Sequence, residues 1–293
     1  MRNWKHCITG LILACAISPP LQAAMDEECI QKEQCIETDR WDIALAVGYG
    51  KRSTPIKDLK DIPMYFVPSI AYYGDDWFFD NGNFGYSLNE TENFALNITT
   101  SYTNDSGYFN RWDPSNIFVL GSSGKAAPLS MLSLNTVDAI EEIDTNNLNN
   151  RNFTLLGGLE AFYYSNLGIF KAAVGHDILN VHHGIAAQLK WQYGIAYEQW
   201  VFDSALFVDW KSSDLIQYYY GVRESESLYW NQEYKPSSGW DYGAEITTQY
   251  VLAQHWDIVL AARYTKLAGD TKDSPLLSKD YATTFFVGMA YKF

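Results

Sequence analysis

Most of the chain after Trp41 alternates between apolar and polar side chains with a period of two. The segment 200–211, WVFDSALFVDWK, places aromatic and aliphatic side chains on one face and Asp203, Asp209 and Lys211 on the other. Successive side chains of a β-strand point to opposite faces, so this period predicts strands with one apolar face. Several segments keep the pattern for about a dozen residues, roughly twice the usual strand length in soluble sheets.

Trp or Tyr stands near both ends of the apolar face in several of these segments, as Trp200 and Trp210 do. An apolar band between two aromatic girdles is typical of a transmembrane β-barrel. A soluble sandwich would alternate too, but its core gives no reason to place Trp at strand ends. The mean hydropathy of −0.22 does not fit a helical membrane protein. We therefore expect an all-β fold, a transmembrane antiparallel up-and-down β-barrel.

Counting these segments predicts about twelve strands over residues 41–293, with ten as the alternative if the weakest segment, 215–222, is not a strand. The predicted strands are 41–50, 63–73, 77–88, 93–103, 151–163, 167–175, 184–197, 200–211, 215–222, 240–252, 256–266 and 282–293. An even number keeps both termini in the periplasm. Four strands precede the long inserted connection 103–150, so this count predicts it on the periplasmic side, although long loops normally lie outside.

The register of two neighbouring strands can be predicted from their alternation. If residues 253–255 form a three-residue turn, Tyr250 opposes Ile258 on the apolar face and Glu245 opposes Arg263 on the polar face. Apolar side chains and opposite charges are the cross-strand neighbours that sheets prefer. A two-residue turn would place outward residues opposite inward ones, so we exclude it. We expect Glu245 and Arg263 to pair inside the lumen.

The polar faces of the predicted strands supply the charges of the lumen. The expected lumen residues include Lys190, Asp203, Asp209, Lys211, Glu245 and Arg263, together with Glu160, Asp241 and Asp257. Acidic groups outnumber basic groups in this set. In an open pore such a surplus would favour cations, whereas in a packed lumen the same groups would pair with one another.

The N-terminus reads as an export signal over residues 1–23, with basic residues, a short apolar run, a Pro pair and small residues before an expected cleavage after Ala23. An acidic leader, 24–40, follows and contains Cys29 and Cys35. In an exported protein these two cysteines favour a disulfide over a metal site. The net charge of −14 disfavours nucleic acid as a partner.

One polar segment, GHDILNVHHG, holds the candidates for chemistry: His176, Asp177, His182 and His183. Such a set could bind a transition metal, or a histidine could activate Ser165 or Ser204 for lipid hydrolysis. A polar turn between two strands, bounded by glycines, is the simpler interpretation. We therefore predict no metal, no cofactor and no catalytic residues.

Two aromatic segments have structural interpretations. The run Tyr218–Val222 could stack carbohydrate, but an aromatic girdle at a membrane interface explains it more simply. The last strand places Phe285, Tyr291 and Phe293 on its lipid-facing side and stops without a tail. This ending resembles the C-terminal signal read by the barrel assembly machinery, which we expect as a partner beside outer-membrane lipid.

Four segments of the last third carry a family resemblance: IQYYYGVRESES, YKPSSGW, AARYTKLAGDTKDSPLL and the terminal YKF. An earlier segment, VPSIAYYGDDWFFDNGNFGYSL, agrees with them. The chain in these segments resembles the MipA/OmpV family of outer-membrane proteins. It departs from the family in the length of 103–150 and in the leader 24–40.

The resemblance implies an outer-membrane barrel of a Gram-negative bacterium that is not an enzyme. The family's namesake is thought to scaffold a lytic transglycosylase together with a peptidoglycan synthase, and other members are linked to adhesion. We therefore expect a scaffold or adaptor for peptidoglycan-remodelling enzymes, with residues 24–40 and 103–150 as its periplasmic contacts. A narrow channel for small solutes and a surface adhesin are the alternatives.

Overall fold

The computed structural model describes residues 39–119, 148–149 and 151–293. The expected export signal, most of the leader and both Cys29 and Cys35 lie outside these residues. Within them, twelve antiparallel strands form one closed barrel in which sequence neighbours pair and β1 closes on β12. The strands are β1 (Trp41–Arg52), β2 (Ile62–Tyr73), β3 (Trp77–Asp80), β4 (Asn83–Thr91), β5 (Phe94–Ser101), β6 (Leu156–Ser165), β7 (Gly168–Asp177), β8 (Ile185–Tyr197), β9 (Trp200–Lys211), β10 (Gly239–Ala253), β11 (Trp256–Lys266) and β12 (Tyr281–Lys292).

The two faces of the strands follow the predicted alternation. On β12, Phe285, Val287 and Met289 are exposed on the outer surface, whereas Phe286 and Ala290 are buried inside. The last strand forms the closing seam by pairing with β1 from Ala44–Lys292 to Arg52–Thr284. The predicted fold class, a transmembrane barrel of about twelve strands, is confirmed.

The strand count is right although two of the predicted strands are wrong. The segment 77–88 is two strands, because Asn81 and Gly82 adopt φ of 48° and 90° and form a two-residue hairpin turn between β3 and β4. Asn-Gly is the preferred sequence for such a turn. The second error is 215–222, which lies mostly in a helix. One extra strand and one lost strand leave the total unchanged.

The described residues also contain three α-helices, α1 (Pro114–Ile117), α2 (Ser213–Tyr220) and α3 (Leu228–Glu233), and 3₁₀ turns at Ser106–Tyr108 and Gly269–Asp273. Helix α2 replaces the predicted strand because its apolar residues fall on one helical face: Leu215, Ile216, Tyr219 and Tyr220. All four are fully buried. None of the helices in the described ranges is long and apolar enough to cross a membrane.

The two rims of the barrel differ in their connections. We call the rim that holds both termini the terminal rim; its turns are short and lie at 74–76, 92–93, 166–167, 198–199 and 254–255. The opposite rim, the loop rim, carries the connections 53–61, 102–155, 178–184, 212–238 and 267–280. Five strands precede the long connection, not four, so it leaves β5 at the loop rim. Its predicted position on the side of the termini is therefore wrong.

In the structure, β10 and β11 pair as the alternation predicts: Glu245 lies opposite Arg263, and Tyr250 lies opposite Ile258. The turn itself differs from the prediction. Ala253 pairs with Trp256, so the turn has two residues, and a register shift at Leu252 restores the alternation. A β-bulge adds one residue to one strand, which explains how a two-residue turn is compatible with this register.

Candidate functional site: the lumen and its plug

Glu245 is the centre of an ionic network on the lumen side of β8–β11. Its carboxylate accepts hydrogen bonds from Lys190 Nζ at 2.7 Å and from Arg263 Nη1 at 2.5 Å. Arg263 Nη2 also lies 3.8 Å from Asp209, whose Oδ1 accepts from Gln188 Nε2 at 2.7 Å. Side chains from four strands are thus linked, as buried or half-buried charges require.

Other charges of the lumen are also paired. Asp203 accepts a hydrogen bond from Gln192 Nε2 at 3.4 Å, and Lys292 Nζ lies 2.7 Å from Asp257. Glu160 forms an ion pair with Lys171 of the neighbouring strand. Lys171 and Lys292 were missing from the sequence-based set, although their positions in the alternation could have identified them. With them the acidic surplus in the lumen is smaller than expected.

The lumen between these groups is not completely filled. The side chains of Lys190, Glu245 and Arg263 point inward and keep 22%, 14% and 27% of their exposure. Because the outer surface is on the other face of the strands, this exposed area lies inside the barrel. The middle of the barrel therefore contains space that water can reach.

A plug closes the barrel at the loop rim. Its main part is residues 102–119, which we call the plug segment, and Asp105 holds it to the wall. Lys211 Nζ lies between Asp105 Oδ1 and Asp241 Oδ2, at 2.5 Å from each, and Tyr220 of α2 donates its hydroxyl to Asp105 Oδ1 at 2.5 Å. Lys211, Asp105 and Asp241 are all buried.

The ionisation of the plug groups follows from this geometry. Burial alone would raise the pKa of Asp105, but the ammonium of Lys211 and the hydroxyl of Tyr220 hold that pKa below its usual value of 3.8. Burial and the negative charge of Asp105 raise the pKa of Tyr220 far above 10. Asp105 is therefore ionised and Tyr220 is neutral, which fits an ammonium–carboxylate contact reinforced by a neutral donor.

Arg52, at the end of β1, holds the plug segment at a second part of the wall. Its guanidinium donates to Asn104 O at 2.5 Å, to Ser115 O at 3.2 Å and to Asn116 Oδ1 at 2.7 Å. It also lies 4.6 Å above the ring of Tyr108. Planar guanidinium groups suit such multiple contacts because their donors diverge in one plane.

An apolar layer lies between these two polar attachments. It consists of buried side chains from the plug segment, α2, the loops and the start of β12: Ile56, Tyr108, Leu215, Ile216, Tyr219, Tyr220, Leu267, Leu277 and Ala282. Tyr219 and Tyr220 are fully buried in it. The interpretation of this aromatic run as a membrane-interface girdle is therefore wrong for these two residues, because the helix turns them into the plug.

Asp177 organises the histidine-containing loop at the loop rim. Its carboxylate accepts the backbone N–H groups of Leu179, Val181 and His182 and the hydroxyl of Thr154, at 2.6 to 2.9 Å. His182 is buried; its Nδ1 accepts the N–H of Gly184 at 2.8 Å, and burial lowers its pKa below 6.5. This bonding is that of a polar turn.

The structure does not bring the other candidates for chemistry together. Ser165 ends β6 at the terminal rim, and Ser204 faces outward in β9, where it donates to Tyr193 O at 3.3 Å. His176 and His183 lie at the loop rim. In the described ranges, no group of three or more His, Cys, Asp or Glu residues is placed to hold a metal ion.

Of the residues of the expected assembly signal, Tyr291 and Phe293 lie at the terminal-rim end of β12, whereas Phe285 lies toward its loop-rim end. Phe285 and Phe293 are exposed, and the ring of Tyr291 lies 4.9 Å from the ring of Trp256. Their role in assembly remains a prediction.

Comparisons with known proteins agree on one family. The sequence model described as "MltA-interacting protein MipA" matches residues 43–293. The chain is 27% identical over 251 residues to the "MltA-interacting protein" of Escherichia coli (strain K12), covering 85% of this chain and 90% of that relative. It is 28% identical over 150 residues to "Outer membrane protein OmpV" of Vibrio cholerae, covering 50% of this chain and 57% of that relative.

Among solved structures, the chain is similar to the "COG4313 outer membrane channel from Pseudomonas putida F1". That similarity has a TM-score of 0.37 and 11% identity, and it covers 88% of this chain and 97% of that structure.

The family match extends from the first strand to the last residue and so includes the whole barrel. The closed barrel with its apolar outer surface agrees with the outer-membrane location that several relatives have in their names. The protein is an outer-membrane β-barrel and belongs to the MltA-interacting protein MipA family.

Proposed function

We propose that this protein is a scaffold or adaptor that holds peptidoglycan-remodelling enzymes at the outer membrane, and that it is not itself an enzyme. The partners are a lytic transglycosylase and, with it, a peptidoglycan synthase. The name of the relatives, "MltA-interacting protein", supports the first partner. The observation that carries the proposal is the plug, since a barrel closed by Asp105, Lys211 and Arg52 fits a binding body better than an open pore.

The terminal rim is the surface that we assign to these partners. Outer-membrane barrels keep their short turns in the periplasm, where peptidoglycan and its enzymes lie. This rim exposes apolar side chains at or just beyond the strand ends, among them Leu167, Tyr197 and Phe293. The first strand, β1, also begins at this rim, directly after the leader 24–40 in the sequence. The described part of 103–150 begins at the other rim, so we no longer assign that segment to periplasmic partners.

Site-specific photocrosslinking in cells tests this assignment. A photoreactive amino acid is placed at Leu167 or Glu198 in the terminal-rim turns, and at Trp112 or Lys235 in the connections of the loop rim as matched controls. We expect capture of a lytic transglycosylase from the terminal rim alone. Equal capture from both rims, or capture from the loop rim alone, would contradict the scaffold.

A narrow channel is the second candidate, because the inward side chains of Lys190, Glu245 and Arg263 remain partly exposed inside the barrel. Planar-bilayer recording of the purified protein separates the two functions. The scaffold predicts no steady conductance while the plug is in place, whereas a channel predicts a stable conductance with a preference for cations.

A further inference from the structure

Among the residues that the structure describes, strand pairing in the barrel wall is sparse between β2 and β5. Strand β3 is short, and within the described chain β2 pairs with it only through Ala71, Tyr72 and Tyr73. The turn residue Asn81 then binds Ile70, with its N–H on Ile70 O and its Oδ1 on Ile70 N–H, both at 2.9 Å. Beyond this point, residues 62–69 have a described strand partner only on the β1 side. The wall therefore has a notch, bounded by β2, the β3–β4 turn and the end of β5.

The sequence of β2 is that of an edge strand along this notch. Ile70 directs its N–H and C=O to Asn81, and Pro68, two residues away, presents its ring nitrogen on the same side. Proline cannot donate to a strand ladder and is confined to edges or bulges. At about 3.3 Å per residue, the free edge of residues 62–69 is roughly 26 Å long. It occupies the two-thirds of β2 nearer the loop rim.

Side chains of the plug segment fill the notch. Tyr102 donates its hydroxyl to Asn81 O at 2.8 Å, and a Cβ at Gly82 would lie 3.3 Å from the rings of Tyr102 and Phe118. Val119 packs on the buried cluster that includes Met64 and Val67 of β2. Within residues 39–119 and 151–293, the closure therefore rests on side-chain packing and the hydrogen bond from Tyr102 to a backbone carbonyl, whereas neighbouring strands elsewhere in the wall pair through their backbones.

The two sides of the notch are both apolar. On the lumen side lie buried side chains of β1, β2, β11 and β12: Ala46, Met64, Val67, Val259, Phe286 and Ala290. On the membrane side, Tyr65 and Phe66 are exposed, Phe66 by 66%. The charged network around Glu245 lies on other strands, β8–β11. The side chains that a molecule would meet on entering from either side are therefore mainly apolar.

We propose that this notch is a lateral portal, through which small apolar or amphipathic molecules pass between the lumen and the outer leaflet of the membrane. Opening requires the end of the plug segment, residues 117–119, to move away from β2. That movement separates side chains and breaks the bond from Tyr102 to Asn81, but it separates no strand pair. Arg52 controls it, since its bonds to Asn104, Ser115 and Asn116 fix the plug segment in the barrel.

The test uses Arg52→Ala in the full-length protein, with Arg111→Ala as the matched control. Arg111 is an exposed arginine in the same plug segment, and its guanidinium lies 5.9 Å from the ring of Trp112. Entry of the fluorescent probe N-phenyl-1-naphthylamine is followed in cells that carry each variant. We expect entry several-fold faster than in wild type for Arg52→Ala, and no change for Arg111→Ala.

A second readout separates a lateral opening from an axial one. Val67→Cys, in a background with Cys29→Ser and Cys35→Ser, places a thiol in the buried cluster against which Val119 packs. With Arg52→Ala added, a lateral portal predicts faster labelling by pyrenyl maleimide, which partitions into membranes. A sulfonated, impermeant maleimide should react no faster than before. Faster labelling by the sulfonated reagent alone would mean that only the axial path opened, and would overturn the proposal.

Tyr102→Phe guards against the case in which Arg52→Ala fails to assemble. This change removes one hydroxyl and its bond to Asn81, and it leaves the ring in place. The portal predicts a smaller but measurable increase in probe entry. Entry equal to wild type in every variant that assembles, judged by migration of the unheated barrel in electrophoresis, would overturn the portal and leave the scaffold untouched.

Discussion

The wall on the β11 side and the wall on the β2 side are closed in different ways. Strand β11 pairs with β10 and with β12 from end to end, so backbone hydrogen bonds close this side. On the other side β2 meets β3 through Ala71–Tyr73, and the plug segment fills the remaining gap with side chains. In a membrane every backbone polar group needs a partner, so a complete ladder resists opening far more than packed side chains do. We therefore expect the β11 side to stay closed and the β2 side to open more easily.

Proline substitutions give the largest contrast between the two walls. Leu260 lies in the middle of β11 and faces outward, as Pro68 does on β2. Leu260→Pro removes a ladder bond within the membrane, which costs several kcal/mol, and we expect the barrel to fail to assemble. Pro68→Leu should change the free energy of unfolding by less than about 1 kcal/mol, since the edge has no described ladder to complete.

Heat-modifiable migration of the barrel and urea unfolding in lipid vesicles measure both changes. A loss of assembly in Pro68→Leu as severe as that in Leu260→Pro would mean that the two strands are held alike, and would remove the comparison.

Lys211→Met tests the polar attachment of the plug. The change leaves Asp105 and Asp241 buried and facing each other without their shared cation. Removing one partner of a buried ion pair costs about 3–5 kcal/mol. Because the loss falls on the plug, we expect faster hydrogen exchange in residues 104–118 and in α2, with little change in β10–β12. Lys235→Met, in an exposed part of a loop, is the control and should leave exchange unchanged.

Adding Asp105→Asn to Lys211→Met removes one of the two stranded charges and should restore part of the protection. If the double variant exchanges as fast as the single one, the charge pair is not what holds the plug segment.

Glu245→Gln tests how much the lumen charges stabilise the β11 side of the barrel, whose strands pair along their full length. The substitution removes the negative charge between Lys190 and Arg263, and hydrogen bonds to charged groups contribute about 1.5–3 kcal/mol when buried. Glu245 is partly exposed in the lumen, so we expect a loss of about 1–2 kcal/mol in the free energy of unfolding. Unfolding in urea should show it for the whole barrel, while exchange in the plug segment stays as in wild type. Glu160→Gln, which affects the single pair with Lys171, should cost less.

The sequence predicted the walls much better than the plug. Alternation over long segments specifies which side chain faces the lipid, and it gave the register of Glu245 with Arg263, because a shift of one residue would turn every apolar side chain inward. It did not give the bulge at Leu252, since a bulge leaves the alternation on both sides intact. The β3–β4 turn had a local signal in Asn81-Gly82, but the aromatic alternation on either side concealed it.

The plug escaped prediction for a different reason. Its contacts join residues far apart in the chain, such as Asp105 with Lys211 and Arg52 with Asn116, and no period or short motif relates such positions. Helix α2 was missed because its three tyrosines, 218–220, fit a strand as well as a helix. The helix is distinguished by its buried residues, two adjacent pairs four residues apart: Leu215 with Ile216, and Tyr219 with Tyr220. The sequence therefore did not predict the parts of the protein that are held together by side-chain contacts rather than by strand pairing.

The smallest expected effect is a pH dependence confined to the plug side. Burial lowers the pKa of His182 below 6.5, and the nearby positive charges of His176 and His183 act in the same direction, whereas Asp177 and Asp105 oppose them. The opened loop therefore binds a proton at a higher pH than the closed loop. Closure is fully favourable above pH 6.5 and weakens as the pH falls below it, by at most about 1.4 kcal/mol per pH unit.

Hydrogen exchange in α2, which contacts the ring of His182 through Tyr218 and Tyr219, measures this effect between pH 7.5 and pH 5. His182→Asn keeps an acceptor for the N–H of Gly184 and removes the titrating ring, so the slope should disappear. His255→Asn, at the terminal rim, should retain it. A slope that survives in His182→Asn would assign the pH dependence to another group. The β11 side has no histidine within its strands, and its exchange should stay flat over the same range. A flat response there beside a sloping response in α2 would show that α2 loosens without the β11 wall.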